Sequence, residues 1–291
     1  MKRIIDKASV LIEALPYIQK FRDEIIVIKF GGSAMEDPKI IKSAMRDIVF
    51  MECVGMKPVV VHGGGKAITA KMKELGIESK FINGLRFTCE KTIGVVDDVM
   101  HDKINPELLK AIDEAGGTAM QISGKKFLKA RKMTSKCSET GKELDIGFVG
   151  EVYHVDPEHI LAALDKNVVP VIPPLAVDAE GQIYNINADI AACKIAEVLK
   201  ARKLVFLSDV PGILGDKENP ESVISTIKVS EVTKLVKSGV ISGGMIPKIQ
   251  SALHAINAGT RKVHMIDGRV QHSLLLEIFT DKGIGTEIVN D

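Results

Sequence analysis

Residues 25–33 read Ile-Ile-Val-Ile-Lys-Phe-Gly-Gly-Ser, and residues 59–65 read Val-Val-Val-His-Gly-Gly-Gly. Each is a short apolar run, rich in β-branched side chains, that stops abruptly at glycine. A run of this length with no polar alternation fits a strand buried on both faces, as in a parallel sheet covered by helices. Two further runs end in the same manner. Leu204–Ser208 passes into Asp209-Val-Pro-Gly212, and Val263–Asp267 passes into Gly268-Arg269. Val168–Ile172 makes a fifth strand. Helical periodicity falls between them, at Pro38–Gly55, Lys66–Leu75, Pro157–Lys166, Asp189–Lys200, Met245–Ala258 and Val270–Thr280. The alternation predicts an α/β protein, a three-layer αβα sandwich around a mainly parallel open sheet. Residues 119–155 carry short β-like runs punctuated by Gly124, Gly141, Gly147 and Gly150, and are expected to form hairpins or a small excursion of the sheet.

Ahead of the first strand, Ile4, Ile5, Ala8, Leu11, Ile12 and Leu15 form one helical stripe, with Pro16 expected to end or kink the helix. The stripe must meet a partner face, on the same subunit or on another chain. With 291 residues the chain can bury a sizeable core without disulfides. It carries 39 Lys plus Arg against 38 Asp plus Glu, with 4% aromatics and no Trp, which disfavours nucleic acid as a partner. No apolar run is long enough for a membrane helix. Cys53, Cys89, Cys137 and Cys193 have no pairing or metal spacing and are expected to be small buried residues of a cytoplasmic protein. His154, Asp156 and His159 lie close in sequence, but Asp156-Pro157 reads better as a helix start than as a metal site.

Function in such sheets gathers at the carboxyl ends of the strands. Glycine there lets backbone N–H groups approach an anion, and a following helix N-terminus adds partial positive charge. Gly31-Gly32 and Gly63-Gly64-Gly65 therefore suggest phosphate binding. Neither a Walker A loop nor a dinucleotide GxGxxG accompanies them. Lys29, separated from the first glycine pair by Phe30 alone, and Lys248, one turn beyond Gly243-Gly244, could neutralise phosphate charge or be ordinary surface lysines. Arg86 could take a carboxylate in a bidentate fork or lie in solvent. Asn187 or Asp189 could cap the helix that follows.

Taken together and in order, the segments around Lys29-Phe-Gly-Gly, His62-Gly-Gly-Gly, Asn83-Gly-Leu-Arg86, Asn185-Ile-Asn-Ala-Asp189, Ser208-Asp209-Val-Pro-Gly and Gly243-Gly-Met-Ile-Pro-Lys248 resemble the amino acid kinase family. The likeness runs from about residue 4 to 289. It is narrowest toward the branch that phosphorylates the side-chain carboxylate of N-acetyl-L-glutamate with ATP, Mg²⁺ travelling with the nucleotide.

The resemblance implies that Lys29 and Lys248 stabilise the transferring phosphoryl group and that Asp189 holds both lysines. Gly64, Gly65, Arg86 and Asn185 would bind the acceptor. Gly31, Gly32, Ser208 and Asp209 would lie on the nucleotide. The N-terminal helix and the segment His272–Gly285 resemble the arginine-inhibited, hexameric form of that branch, which would place Tyr17, Glu277 and Gly283 at an L-arginine site. Residues 1–20 would then be an oligomerisation helix. Residues 21–291 would be one kinase domain, with an acceptor-binding half to about 180 and an ATP-binding half from about 181. Ser33, Phe30 and Cys89 depart from residues common in that branch. Other readings are a same-fold kinase for a different carboxylate or carbamate, or a non-catalytic arginine sensor.

Overall fold

The computed structural model describes residues 2–136, 141–216, 218–280 and 283–291. The chain opens with α1 (Lys2–Phe21), β1 (Ile25–Phe30), α2 (Pro38–Cys53), β2 (Lys57–His62) and α3 (Gly65–Glu74). A two-strand ribbon follows, β3 (Phe81–Ile82) and β4 (Leu85–Arg86), then α4 (Glu90–Asp98), a π turn over Val99–Ile104, and α5 (Asn105–Glu114). The middle of the chain comprises β5 (Ala119–Gln121), β6 (Leu128–Lys136), β7 (Glu143–Val155), α6 (Glu158–Leu164), β8 (Val169–Ile172), β9 (Leu175–Val177) and β10 (Ile183–Asn185). The last third holds α7 (Ala188–Val198), β11 (Lys203–Ser208), β12 (Thr226–Lys228), α8 (Val229–Lys237), α9 (Met245–Asn257), β13 (Lys262–Asp267), α10 (Ser273–Ile278) and β14 (Thr286–Val289).

Among the described residues the main sheet has eight strands in the order β12-β14-β13-β11-β1-β2-β8-β5. Every pairing is parallel except β13 with β14. The expected architecture is therefore the one found. Strand β1 shows why its run has no polar alternation. Val27 points into one core with Val59, Val61, Leu204 and Phe206, whereas Ile26, Ile28 and Phe30 point into the other with Val60, Val205 and Leu207. Helices α7 and α9 cover the first face, and α2, α5 and α10 cover the second. Ala191, Ala192 and Ala196 keep α7 slim against the sheet, and the Cys193 thiol reaches the Ser251 carbonyl of α9 at 3.1 Å.

Several expectations need correction. Helix α1 does not end at Pro16 but runs on to Phe21. The carbonyl of Ile12, which Pro16 cannot pair, lies on a residue 68% exposed, where water can satisfy it. The excursion at residues 119–155 is larger than a hairpin: β6 and β7 join β9 and β10 in a small closed barrel. The predicted helix Val270–Thr280 is only α10, because His272 takes a left-handed φ of 57° and starts the helix late. Of the cysteines, Cys193 is buried, Cys89 is half-buried and Cys53 is exposed; Cys137 lies outside the described residues. Asp156 accepts the Glu158 N–H at 3.0 Å, the helix start its sequence suggested. Among the described residues no helix is long and apolar enough to cross a membrane.

Candidate active site

Strand β1 sits between β2 and β11, so the carboxyl ends of β1, β2, β11 and β13 share one edge. A crevice opens there because the connections from β1 and into β11 run to opposite sides. It contains a cavity of about 1000 Å³. Lys29, Gly32, Gly64, Gly65, Arg86, Asn185 and Asp189 all line it, although they come from four separate stretches of chain.

Asp189 lies in the first turn of α7, and the competing capping role belongs to its neighbour. The Asn187 side chain accepts the N–H groups of Asp189 at 2.8 Å and Ile190 at 3.3 Å. Asp189 is left free to hold both lysines: its Oδ1 is 3.0 Å from Lys29 Nζ and its Oδ2 is 3.1 Å from Lys248 Nζ. Burial alone would raise the Asp189 carboxyl, but the two ammonium groups outweigh it and hold the pKa below the usual carboxylate value. The trio carries a net single positive charge, with Lys29 and Asp189 at the cavity wall and Lys248 behind Asp189, outside the lining.

The glycines differ in what they do. A side chain at Gly31 would bring a Cβ within 2.9 Å of Lys29 Nζ, so this glycine makes room for the ammonium head. Gly32 has φ +70° and turns the chain away from β1. Gly64 precedes α3, and a Cβ there would meet Ile104 at 3.0 Å and Ile68 at 3.2 Å. The first-turn N–H groups of α3 have no partner within the helix and form its positive end.

Arg86 is 6% exposed. Its guanidinium donates to Gly65 O at 2.7 Å and to Thr69 Oγ1 at 2.8 Å, as well as to Ser79 Oγ. Its Cζ stands 4.7 Å over the Phe81 ring. Burial lowers its pKa from the usual arginine value, yet a guanidinium remains charged at neutral pH. Among the described residues it has no carboxylate partner. Asn185 is held by Thr88, whose hydroxyl accepts from its Nδ2 at 3.2 Å and donates to Arg86 O at 2.9 Å.

Ser208 and Asp209 lie at the end of β11, beyond the cavity lining, with Gly268 N–H on the Ser208 carbonyl at 2.8 Å. Tyr17, Glu277 and Gly283 lie outside the cavity lining, and the structure brings Glu277 and Gly283 together. The Tyr17 ring is 6.2 Å from that of Phe279, and a Cβ at Gly283 would lie 2.6 Å from Glu277 Oε2. Glu277 is buried; it contacts His264 Nδ1 at 2.5 Å and accepts the Ile284 N–H at 2.7 Å. No sequence signal marks Thr69, Ser79, Thr88 and Phe81, whose residue types gain a role only from the fold that brings them to Arg86.

A buried guanidinium and a lysine–aspartate–lysine trio beside one cavity suit anionic substrates held side by side, the arrangement of a phosphoryl-transfer enzyme. Residues 24–267 match the amino acid kinase family, and the chain belongs to that family. It is 47% identical over 290 residues to the acetylglutamate kinase of Akkermansia muciniphila, the match covering 99% of this chain and 97% of that one. With the acetylglutamate kinase of Caldanaerobacter subterraneus subsp. tengcongensis the identity is 50% over 284 residues, covering 97% and 93%. Among solved structures, an N-acetylglutamate synthase from Neisseria gonorrhoeae, complexed with coenzyme A and N-acetyl-glutamate, is similar at a TM-score of 0.84 and 25% identity. That match covers 98% of this chain and 63% of the synthase. Carbamate kinase from Giardia lamblia shares the fold at a TM-score of 0.65 and 17% identity, covering 92% of this chain and 99% of that one.

Proposed function

We propose that this kinase transfers the γ-phosphoryl group of ATP to the side-chain carboxylate of N-acetyl-L-glutamate, giving an acyl phosphate and ADP. The observation that carries the reading is Arg86, a buried cation beside the cavity with no carboxylate of its own among the described residues. An acceptor α-carboxylate supplies the missing charge. Full-length relatives named acetylglutamate kinase support the same acceptor.

The chemistry asks little of the protein beyond placement. The acceptor carboxylate is ionised at neutral pH and needs no general base to attack phosphorus. As the new O–P bond forms and the bond to ADP breaks, negative charge spreads over the equatorial oxygens. Lys29 and Lys248 stabilise that charge from positions fixed by Asp189. Gly64 and Gly65, at the α3 N-terminus, and Asn185 hold the acceptor, with Gly31, Gly32, Ser208 and Asp209 on the nucleotide side. Among the described residues no group of three or more His, Cys, Asp or Glu could hold a metal. A donor set dominated by lysine suits Mg²⁺ arriving on the ATP phosphates, as part of that substrate.

We further assign residues 1–20 to oligomer assembly, as a hexamer, and residues 21–291 to one kinase domain with acceptor and ATP halves meeting near residue 180. The exposed α1 stripe supports the first assignment. Tyr17, Glu277 and Gly283 form the arginine site of a feedback-inhibited enzyme of arginine biosynthesis. An N-acetylglutamate synthase of the same fold, solved with coenzyme A and L-arginine, supports a regulatory ligand of that type at a TM-score of 0.80 and 25% identity. The free cysteines suit the reducing cytoplasm.

An ATP- and Mg²⁺-dependent hydroxamate assay across N-acetylglutamate, glutamate, aspartate and carbamate tests the reaction. Signal with N-acetylglutamate alone, reduced by added arginine, is the expected result. Signal with another acid and none with this one would replace the substrate.

A further inference from the structure

Strand β2 ends at His62, whose ring is fully buried next to the glycine turn yet touches no substrate-facing space. Its Nδ1 lies 3.0 Å from Gly63 O, and its Nε2 lies 3.1 Å from Nδ2 of Asn105, also fully buried. The same Asn105 Nδ2 is 3.2 Å from the Val171 carbonyl. That carbonyl belongs to the main sheet and already accepts the Ile122 N–H at 3.0 Å.

These contacts admit one arrangement of protons. A carbonyl only accepts, so the Asn105 atom facing Val171 must be the NH₂ group and not the oxygen. The NH₂ group then has its second proton for His62 Nε2, which must present a lone pair. A neutral imidazole with a lone pair on Nε2 carries its proton on Nδ1, and that proton meets Gly63 O. Burial in turn disfavours the charged ring and lowers the His62 pKa to about 4, the nearby His101 adding to the effect.

The peptide fixed in this way separates the two glycine turns. Gly63 donates its own N–H to Phe30 O at 2.7 Å, and a Cβ on Gly63 would lie 3.7 Å from the Gly31 Cα. Gly31 is the residue that makes room for Lys29 Nζ. The π turn sets up the other side: Ile104 lies against Gly64, and the next residue, Asn105, reaches His62. Such turns often mark functional positions.

We propose that Asn105 and His62 are positioning residues for the kinase reaction, a relay that orients the Gly63–Gly64 peptide and so sets the acceptor turn relative to Lys29. The relay rests on the phosphotransfer reading for its consequence, but its proton arrangement stands apart from any substrate.

Two measurements test it. In the full-length protein with ¹⁵N-labelled histidine at pH 7, the His62 signal, assigned by its loss in His62→Asn, is expected to be neutral with the proton on Nδ1. A proton on Nε2, or a charged ring, overturns the relay. In steady-state assays with ATP and N-acetylglutamate, His62→Asn keeps an N–H donor near the Nδ1 position, whereas His62→Gln places its amide near Nε2. His62→Asn is expected to retain kcat within about threefold, while His62→Gln and Asn105→Leu lose about tenfold or more with KM little changed, a cost in keeping with small misplacement of reactants. Equal kcat in the two His62 variants defeats the positioning role. A wild-type protein inactive on N-acetylglutamate removes the proposed reaction and leaves the tautomer result to judge the relay.

Discussion

Asp189 bears one negative charge between two ammonium groups, and in the proposed reaction the surplus positive charge meets the phosphoryl oxygens as they gain electron density. Removing either lysine leaves Asp189 balanced and the surplus gone. Lys29→Ala or Lys248→Ala is therefore expected to lower kcat by on the order of 10²-fold or more, as loss of a preorganised charge does in related transition states. Steady-state turnover at saturating substrate checks this. The role proposed for Arg86 is different, since there its charge meets the acceptor before and during transfer. Arg86→Lys loses the fork and is expected to raise the acceptor KM by about tenfold to hundredfold, the range of one charged hydrogen bond, with a smaller change in kcat. His62 affects stability as well as geometry. Its folded pKa of about 4 lies below the ordinary 6.5, so the unfolded chain binds the proton more readily. Its contribution is present in full above pH 6.5 and is lost as pH falls toward 4, on the order of 3 kcal/mol in all. Urea unfolding between pH 7 and 4.5 is expected to weaken more steeply in the wild type than in His62→Asn.

Among the elements, α1 stands out for what it leaves uncovered. Val10, Leu11 and Ile12 are each more than 60% exposed, whereas Tyr17 and Phe21, toward its end, pack on the body. Leu11→Asp is expected to leave the kinase folded and to reduce its molar mass by light scattering, since a charge on this face opposes burial against a second chain. The elements also differ in how readily they were read. Strands β1, β2, β11 and β13 were legible because burial on both faces makes them uninterrupted apolar runs that end at turn residues. Residues 90–114 carry no clear helical period, and the π turn is the reason. Val96, Met100, Ile104, Leu108 and Ile112 are all buried at spacings of four, which on a regular α-helix would drift about 40° per step. The wider π turn absorbs part of that drift, so the stripe does not keep the usual helical period. Strands β9 and β10, at three residues each, are too short to carry any period. At the site, Lys29, Arg86, Asn185 and Asp189 could be singled out because they sit in glycine- or asparagine-rich strand ends. Thr88, Ser79 and Phe81 could not, because ordinary residue types acquire a role only from long-range neighbours.

At the scale of the whole molecule, the central position of β1 governs both chemistry and assembly of the fold. Its partner on one side, β2, follows within a few tens of residues. Its partner on the other, Lys203–Ser208, lies far down the chain. During synthesis at about 5–20 residues per second, the interval between β2 and β11 is roughly 7–30 s. Throughout that time the strand carrying Lys29 has one open edge of backbone donors and acceptors, flanked by apolar side chains meant for two cores. An unpaired edge of that kind is a general hazard for association with other chains, and in the finished fold it is closed by the arrival of β11.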